Sequence, residues 1–293
     1  MNGTAILYAL IFLMVVFWSG NYIAGKIALR EFSALFLAGL RIGLAGVAML
    51  PLYAWERVRT PPETHTRRDV VQLLLLGLFG VTLNQLFFIL GLSRTSVAHA
   101  AIIIGLTPMQ VLIIAGLRGQ ERITARKATG MAVALAGVAI LKLFEPATGS
   151  GATWLGDLIV FLGGLSFALF TVFGKEVTGR FSTITVNTYA YVGGGLALLP
   201  VTVWAAARQP LSHANAGAWL AAIYMALFPS VIAYLIYYHA LAHMTASRVS
   251  AFSYLQPVFA TIMGVVILGE SLGAPVIAGG TVILTGVYMA ERG

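Results

Sequence analysis

An arginine stands inside an otherwise apolar stretch of the 293-residue chain. Arg41 falls in an apolar run over 33–55, and an arginine at the centre of a membrane helix costs roughly 2.5–3.5 kcal/mol unless it finds a partner. We therefore expect its guanidinium to face protein or water, where it can attract the carboxylate of a solute. Because Gly39 and Gly43 flank it, the alternative is a structural donor to the carbonyls of a closely packed helix.

Two lysines occupy matching places at the ends of apolar runs. Lys26 and Lys175 each follow a glycine and stand 149 positions apart. As gate residues at the two mouths of a pathway, they could guide an anionic group or pair with a carboxylate. The alternative is that each reaches the lipid headgroups, as a lysine near a helix end commonly does.

Two prolines fall inside apolar runs, also 149 positions apart. Pro108 and Pro257 each remove one backbone hydrogen bond and leave a carbonyl free about four residues earlier. A bend at such a point lets a helix line a cavity or move, so we interpret both prolines as hinges. Proline is also tolerated in membrane helices for packing alone.

Polar and aromatic side chains recur at helical spacing in several apolar runs. A cavity with apolar walls and a few hydroxyls and amides suits an amphipathic solute, whose ring stacks while its polar end forms hydrogen bonds. The alternatives are an aromatic belt at the membrane surface and serines that only pack helices together. The candidate cavity residues are Trp18, Asn21, Tyr22, Arg41, Asn84, Phe88, Tyr234, Tyr238, Ser253 and Tyr254.

The chain lacks the motifs of the common hydrolytic and nucleotide-binding enzymes. It has no HExxH, no nucleophile elbow, no P-loop and no carboxylate pair at mid-depth in an apolar run. We therefore expect no enzyme activity, no cofactor and no metal. His99, His239 and His243 could relay protons, but all three stand near the ends of apolar runs, so proton coupling is left open.

These residues belong to a chain whose composition suits a bilayer. It is 59% apolar and only 10% charged, whereas a soluble domain is about half apolar and about a quarter charged. It has no cysteine, which excludes disulfides, iron–sulfur clusters and thiolate zinc sites. A membrane helix needs roughly 20 apolar residues, so the sequence predicts an all-α polytopic membrane protein with ten transmembrane helices. The predicted spans are about 5–27, 33–55, 70–92, 96–117, 127–144, 154–175, 184–206, 217–240, 246–268 and 274–290.

The basic residues are distributed unequally between alternate loops. The side that carries the N-terminus holds about twelve of the 18 Lys and Arg residues, and the other side holds about five. The positive-inside rule therefore places both termini in the cytoplasm. Since membrane topology accounts for the net charge of +8, we expect no nucleic-acid partner.

The two halves of the chain match when one is shifted by 149 residues. The predicted repeats are 1–146 and 147–293, with five helices each. Because five is odd, the second copy must be inverted relative to the first, as in secondary transporters that alternate between two gates around a central site. Matching pairs include Pro51 with Pro200, Trp55 with Trp204, Glu121 with Glu270, Gly130 with Gly279 and Gly137 with Gly286.

Several strings resemble a known family. They are WSGNYIAGK at 18–26, LAGLRIGLAG around Arg41, TPMQVLIIAGLRGQE at 107–121 and LQPVFATIMGVVILGESL at 255–272. They resemble the EamA-type members of the drug/metabolite transporter superfamily, over essentially the whole chain, and most of all the bacterial aromatic and neutral amino-acid exporters. The resemblance implies ten helices in two inverted halves, a bacterial inner-membrane location, and export through a cavity lined by helices 1, 3, 4, 6, 8 and 9.

The expected function is therefore secondary transport of small amphipathic metabolites, in particular amino acids, out of the cell by alternating access. The alternatives are export of other drugs or metabolites, and antiport of phosphorylated or nucleotide-linked metabolites. A phosphorylated cargo would demand several buried basic residues, and only Arg41, Lys26 and Lys175 are candidates. The expected partners are the small-molecule substrate and the lipid bilayer, with no obligate protein partner.

Overall fold

The computed structural model describes residues 3–60, 65–95, 100, 103–143, 153–256, 258–259 and 274–293, and this part of the chain is helical apart from short connections. This confirms the all-α class for the described residues. The helices are α1 (Gly3–Ala28), α2 (Ala34–Arg59), α3 (Arg67–Leu92), α4 (Thr107–Leu117), α5 (Ala125–Leu143), α6 (Trp154–Val177), α7 (Thr183–Ala206), α8 (Ala216–His243), α9 (Ala246–Ala251) and α10 (Ala274–Glu291).

Six of the described helices are long and apolar enough to cross a membrane. Helices α1, α2, α3, α6, α7 and α8 have apolar stretches of 24 to 28 residues with mean hydropathies of 1.3 to 2.2, and roughly 20 residues suffice for a crossing. Helix α4 and most of α10 are apolar but shorter. The predicted fourth and ninth spans extend into residues outside the described ones, so the count of ten stays a prediction.

Two helices contain a π-helical segment at matching places. Leu78–Leu83 lies within α3 and Leu227–Ile232 lies within α8. Each residue of the second segment is 149 positions after its counterpart in the first. A π turn inserts one extra residue into a helix and is often found at functional sites. The two halves therefore repeat an irregular backbone feature as well as a sequence pattern.

The two lysines make the same contacts in each half. Lys26, near the end of α1, donates from Nζ to two carbonyls at the end of α3, and Lys175, near the end of α6, does the same at the end of α8. Each lysine thereby satisfies carbonyls that a helix end leaves free. The acceptors of Lys26 are Leu92, at 2.8 Å, and Thr95, at 3.1 Å, and those of Lys175 are Leu241 and, at 2.9 Å, Met244.

Equivalent helices of the two halves run in opposite directions. Thr153, just before α6, donates from its backbone nitrogen and from Oγ1 to the carbonyl of Arg94, at 3.1 and 3.0 Å. Arg94 follows α3, whose end contacts Lys26, so α6 begins where α1 ends. At the opposite end of the bundle, Thr4 in the first turn of α1 borders the same crevice as His243, the last residue of α8. We call these two ends the Lys26 end and the Lys175 end.

Glycines let α5 and α10, which are equivalent helices, pack at backbone distance. A Cβ atom on Gly286 of α10 would lie 2.3 Å from the backbone nitrogen of Ala134, and one on Gly130 of α5 would lie 2.4 Å from that of Ala290. Close approach through small residues is a main source of helix association in membranes, where burial of apolar surface contributes little. The repeat glycines of the sequence thus form a contact between the two halves.

A carboxylate fixes the start of α9 at the Lys175 end. Glu121, which follows α4, accepts hydrogen bonds from the backbone nitrogen of Ser247 at 2.9 Å, from the Ser247 hydroxyl, and from Lys127 Nζ at 2.8 Å. A negative side chain is favourable at a helix N-terminus. Burial raises the pKa of the Glu121 carboxyl, but the hydrogen bonds from Lys127 and Ser247 outweigh burial, so this pKa lies below its ordinary value.

The glycine contact between α5 and α10 predicts a position-dependent cost of adding a methyl group. Gly286→Ala would place Cβ against the backbone of α5, and we expect a loss of about 1–3 kcal/mol in the free energy of unfolding, as for overpacked cores. The matched control is Gly280→Ala on the same helix, where a Cβ meets nothing within 4 Å. Thermal unfolding in detergent, followed by tryptophan fluorescence, measures both. Equal stability of the two variants would contradict the contact.

The lowered pKa of Glu121 predicts how stability depends on pH. The stabilisation is fully present above the ordinary glutamate range and is lost as the pH falls through the lowered pKa. We expect Glu121→Gln to lower the free energy of unfolding at neutral pH by about 1.5–3 kcal/mol. The difference from the wild type should shrink as the pH falls below about 5, through the ordinary glutamate range and then through the lowered pKa.

Thermal unfolding across this pH series provides the measurement. Glu31→Gln, at an exposed glutamate of the other end, is the control and should leave the pH profile unchanged. A constant difference between Glu121→Gln and the wild type over the whole series would show that ionisation of Glu121 does not stabilise the fold.

Candidate substrate cavity

A cavity of about 90 Å³ lies among α1, α2, α3, α6, α8 and the segments that start α4 and follow α9. Ordinary small-molecule sites measure roughly 300–1,000 Å³, so a solute with a ring requires the walls to move apart. The lining residues are Trp18, Asn21, Tyr22, Arg41, Asn84, Gln85, Phe88, Ile104, Thr107, Val160, Gly163, Gly164, Phe167, Tyr234, Ser253 and Gln256.

Half of this lining consists of residues related by the internal repeat. In four pairs, a residue that lines the cavity from the first half has its counterpart, 149 positions later, lining it from the second half. The cavity therefore lies across the axis that relates the two inverted copies, as the central sites of repeat-built transporters do. The four pairs are Trp18 with Phe167, Gln85 with Tyr234, Ile104 with Ser253 and Thr107 with Gln256.

The cavity occupies the part of the bundle that is nearer the Lys26 end. In α1 the lining falls at 18–22, in α3 at 84–88 and in α6 at 160–167, and each of these stretches lies toward the end where α1 and α3 finish and α6 begins. The opposite end is held by Glu121 and Lys175 through their contacts with the α8–α9 turn.

Aromatic rings form one wall, and their polar atoms are bound to the π segments. Trp18 donates from Nε1 to the carbonyl of Pro229 at 3.0 Å, and the Tyr234 hydroxyl donates to the carbonyl of Gly80 at 2.9 Å. Gly80 and Pro229 are themselves 149 positions apart. With Phe167, these rings make edge contacts at centroid distances of 5.8 to 6.1 Å, a favourable geometry for aromatic side chains.

Arg41 brings a buried positive charge to the cavity. Its side chain is only 3% exposed, and its Nε donates to the Ser230 hydroxyl at 2.9 Å. Its Nη1 has no hydrogen-bond partner among the described residues, and no Asp or Glu is part of the described lining. A buried charge without a counter-ion is costly. An anion that entered the cavity would remove that cost.

Further hydrogen bonds hold the side chain of Arg41 in place. Gln85 Nε2 donates to the Tyr191 hydroxyl at 2.8 Å, and that hydroxyl donates to the carbonyl of Ser230 at 3.1 Å. Since Ser230 belongs to the π segment of α8, the guanidinium is attached to an irregular part of the opposite half. Movement of that segment would change the position of Arg41.

Two more buried polar atoms in the lining lack a partner within the described residues. They are Oδ1 of Asn21 and Oγ1 of Thr107, and both side chains are buried. Asn84, by contrast, has partners for both of its polar atoms: Nδ2 donates to the carbonyl of Gly163 at 3.0 Å, and Oδ1, at 3.1 Å from the Tyr234 hydroxyl, shares its proton with the Gly80 carbonyl. An unmatched oxygen of Asn21 is suited to accept from an ammonium or hydroxyl group of a solute.

The candidates from the sequence separate into two groups in the structure. Tyr238 and Tyr254 are buried outside the lining, and Tyr238 packs on Phe170 at a centroid distance of 5.1 Å. The others lie along the cavity, namely Trp18, Asn21, Tyr22, Arg41, Asn84, Phe88, Tyr234 and Ser253.

Sequence reasoning missed several lining residues, although one signal could have found them. Phe167, Gln85 and Gln256 are the repeat counterparts of Trp18, Tyr234 and Thr107. Applying the offset of 149 to each candidate would have pointed to Phe167, Gln85 and also Ile104, the counterpart of Ser253. The remaining residues that were missed are Thr107, Val160, Gly163 and Gly164.

The candidate gates and hinges lie outside the described lining. Lys26 and Lys175 contact helix ends, and a gating role for them stays a prediction. Pro108 is not in the middle of a helix as expected: it occupies the first turn of α4, after a break at 105–106. Proline removes no helical hydrogen bond in a first turn, so the expected kink is corrected to a helix start, and a hinge role for Pro108 stays a prediction. Pro257 lies outside the described residues.

Comparison with known proteins identifies the family. The sequence profile of the EamA-like transporter family matches residues 5–143 and again residues 154–291. An uncharacterized transporter of Archaeoglobus fulgidus is 28% identical over 96% of this chain and 96% of its own length. YyaM, an uncharacterized transporter of Bacillus subtilis, is 28% identical over 97% of this chain and 93% of its own.

A bacterial inner-membrane protein and a solved structure agree with these matches. The uncharacterized inner membrane transporter YedA of Escherichia coli is 24% identical over 91% of this chain and 84% of its own length. One crystal structure superposes with a TM-score of 0.79 at 17% identity, covering 98% of this chain and 97% of the other, which shows a shared fold. Since the family profile matches nearly the whole chain in two copies, the chain belongs to the EamA-like transporter family and is a membrane transporter, not an enzyme.

Proposed function

We propose that this transporter exports small amphipathic metabolites, namely aromatic or neutral amino acids, across the bacterial cytoplasmic membrane by alternating access. The observation that carries the proposal is Arg41, a buried guanidinium in a ring-lined cavity whose Nη1 has no partner in the described part of the chain. A carboxylate supplies the missing acceptor in a charge-assisted hydrogen bond, which is about twice as strong as a neutral one.

The rest of the lining suits the other parts of such a solute. The Asn21 oxygen is able to accept from an α-ammonium group. The faces of Trp18, Phe167 and Tyr234 offer contact to a ring or an aliphatic chain, and they also attract a nearby ammonium. A zwitterion is favoured over a multiply charged solute, because Arg41 is the one basic residue in the described lining.

Alternating access requires that the two ends open in turn. In the orientation favoured by the basic loops, the Lys26 end faces outside, so the cavity lies nearer the outward side. The π segments of α3 and α8 supply positions where two helices can bend, since an irregular turn is already present in each. Rocking one repeat against the other would carry the solute from one side to the other.

Efflux from proteoliposomes tests the proposal directly. Purified protein is reconstituted into vesicles loaded with labelled phenylalanine or leucine, and efflux is followed with and without an imposed proton gradient. We expect saturable efflux that unlabelled aromatic amino acids inhibit. If insertion is verified and efflux is no faster than from loaded vesicles that lack the protein, amino-acid transport is refuted. The gradient then distinguishes facilitated diffusion from proton coupling.

Substitution of Arg41 tests the carboxylate contact. Losing a hydrogen bond between charged groups costs about 1.5–3 kcal/mol, so Arg41→Gln should raise KM for amino-acid efflux by roughly tenfold to a hundredfold. Arg59→Gln, at an exposed arginine outside the cavity, is the control and should transport normally. An unchanged KM in folded Arg41→Gln would assign Arg41 to structure alone. Amino-acid amides, which lack the carboxylate, should inhibit the wild type poorly.

A further inference from the structure

A second crevice lies at the Lys175 end of the helix bundle, away from the central cavity. It lies between the first turns of α1, the last turn of α8 and the start of α9, with a volume of about 540 Å³. None of its residues belongs to the central cavity. Since α1 begins, α8 ends and α9 begins here, the crevice stands at the depth where a membrane helix meets the lipid headgroups.

Basic side chains converge on one wall of this crevice. His239, His243 and Arg248 all line it, and its described lining contains no carboxylate. The two imidazole rings lie with their centroids 4.5 Å apart, and His243 Nδ1 is 2.8 Å from the carbonyl of His239. The Arg248 guanidinium carries a positive charge beside these two rings, so an anion at this wall meets a charged hydrogen-bond donor.

The wall formed by α1 has two aliphatic side chains beside Thr4 and Tyr8. Ile6 and Leu7 of α1 line the crevice, and Ile6 is 46% exposed. Two turns further along the same face of the helix, away from the Lys175 end, Leu13 is 42% exposed. The wall that carries Arg248 at headgroup depth therefore continues into an apolar helix surface that extends toward the middle of the membrane. A basic wall followed by an apolar helix face is complementary to a phospholipid, which has a charged headgroup followed by acyl chains.

We propose that this crevice binds the headgroup of an anionic phospholipid, with the phosphodiester held by Arg248 beside the two histidines and one acyl chain lying along α1. Charge complementarity selects the occupant: an anionic headgroup is attracted by the basic wall, whereas a zwitterionic one brings a cation of its own. Basic pockets between helices on the cytoplasmic side are suited to such headgroups. The proposal does not depend on which solute the central cavity carries.

Native mass spectrometry of the full-length protein in mild detergent tests this site. The protein is titrated with phosphatidylglycerol and, separately, with phosphatidylcholine of the same acyl chains. We expect tighter binding of phosphatidylglycerol and about fivefold weaker binding in Arg248→Gln, as expected for the loss of one basic side chain near an anionic lipid. Arg59→Gln, at an exposed arginine outside the crevice, is the matched control and should bind like the wild type.

A second variant keeps the test decisive if Arg248→Gln fails to fold. His239→Gln/His243→Gln changes two exposed side chains and should likewise weaken binding of phosphatidylglycerol. Equal affinity for the two lipids, or unchanged binding in both folded variants, would overturn the proposal. Competition by inorganic phosphate or glycerol 3-phosphate at the same concentration as the lipid would also overturn it, because the crevice would then bind a free phosphate.

Discussion

Hydrocarbon offers no hydrogen bonds, so a backbone carbonyl that a membrane helix leaves free must find a donor inside the protein. Much of this structure follows from where such carbonyls occur and which side chain meets them. Lys26 and Lys175 meet those at the ends of α3 and α8, and Trp18 and Tyr234 meet those of the π segments. Glu121 performs the converse task for an amide nitrogen at the start of α9. Each of these bonds joins residues that are distant in the chain.

The repeat supplies a symmetric framework, and the cavity arises where the two copies differ. Lys26 and Lys175 keep the same residue type and the same kind of acceptor in both halves. At the cavity the copies have diverged: the repeat counterpart of Trp18 is Phe167, and that of Gln85 is Tyr234. Arg41 has Ala190 as its counterpart, so the buried charge exists in one copy only. A symmetric scaffold thus holds a chemically asymmetric site, which a solute with unlike ends requires.

The sequence predicted the positions of the long helices well, but it was less successful in predicting which side chains line the cavity. The long spans, the offset of 149 and the place of Trp18 and Arg41 along the cavity could be predicted from apolar runs, helical spacing and the cost of a buried charge. Tyr238 shares a helical face with Tyr234, but it lies one turn nearer the Lys175 end, away from the cavity. Ser253 and Gln256 line the cavity while Tyr254 does not, because 252–255 form a 3-10 helix, in which residues three apart are aligned. The pattern of apolar residues predicts neither this local change to a 3-10 helix nor the π segments.

The crossed hydrogen bonds of the π segments have a consequence for biosynthesis. The carbonyl of Gly80, in the first half, is bound by Tyr234 from the second, and the carbonyl of Pro229, in the second half, is bound by Trp18 from the first. A ribosome makes the first half before α8 exists. During that interval α3 enters the bilayer without the donor for its π turn, so it must either stay a regular helix or keep that carbonyl near water. The hydrogen bond to the Gly80 carbonyl is therefore made only when the last third of the protein has been inserted.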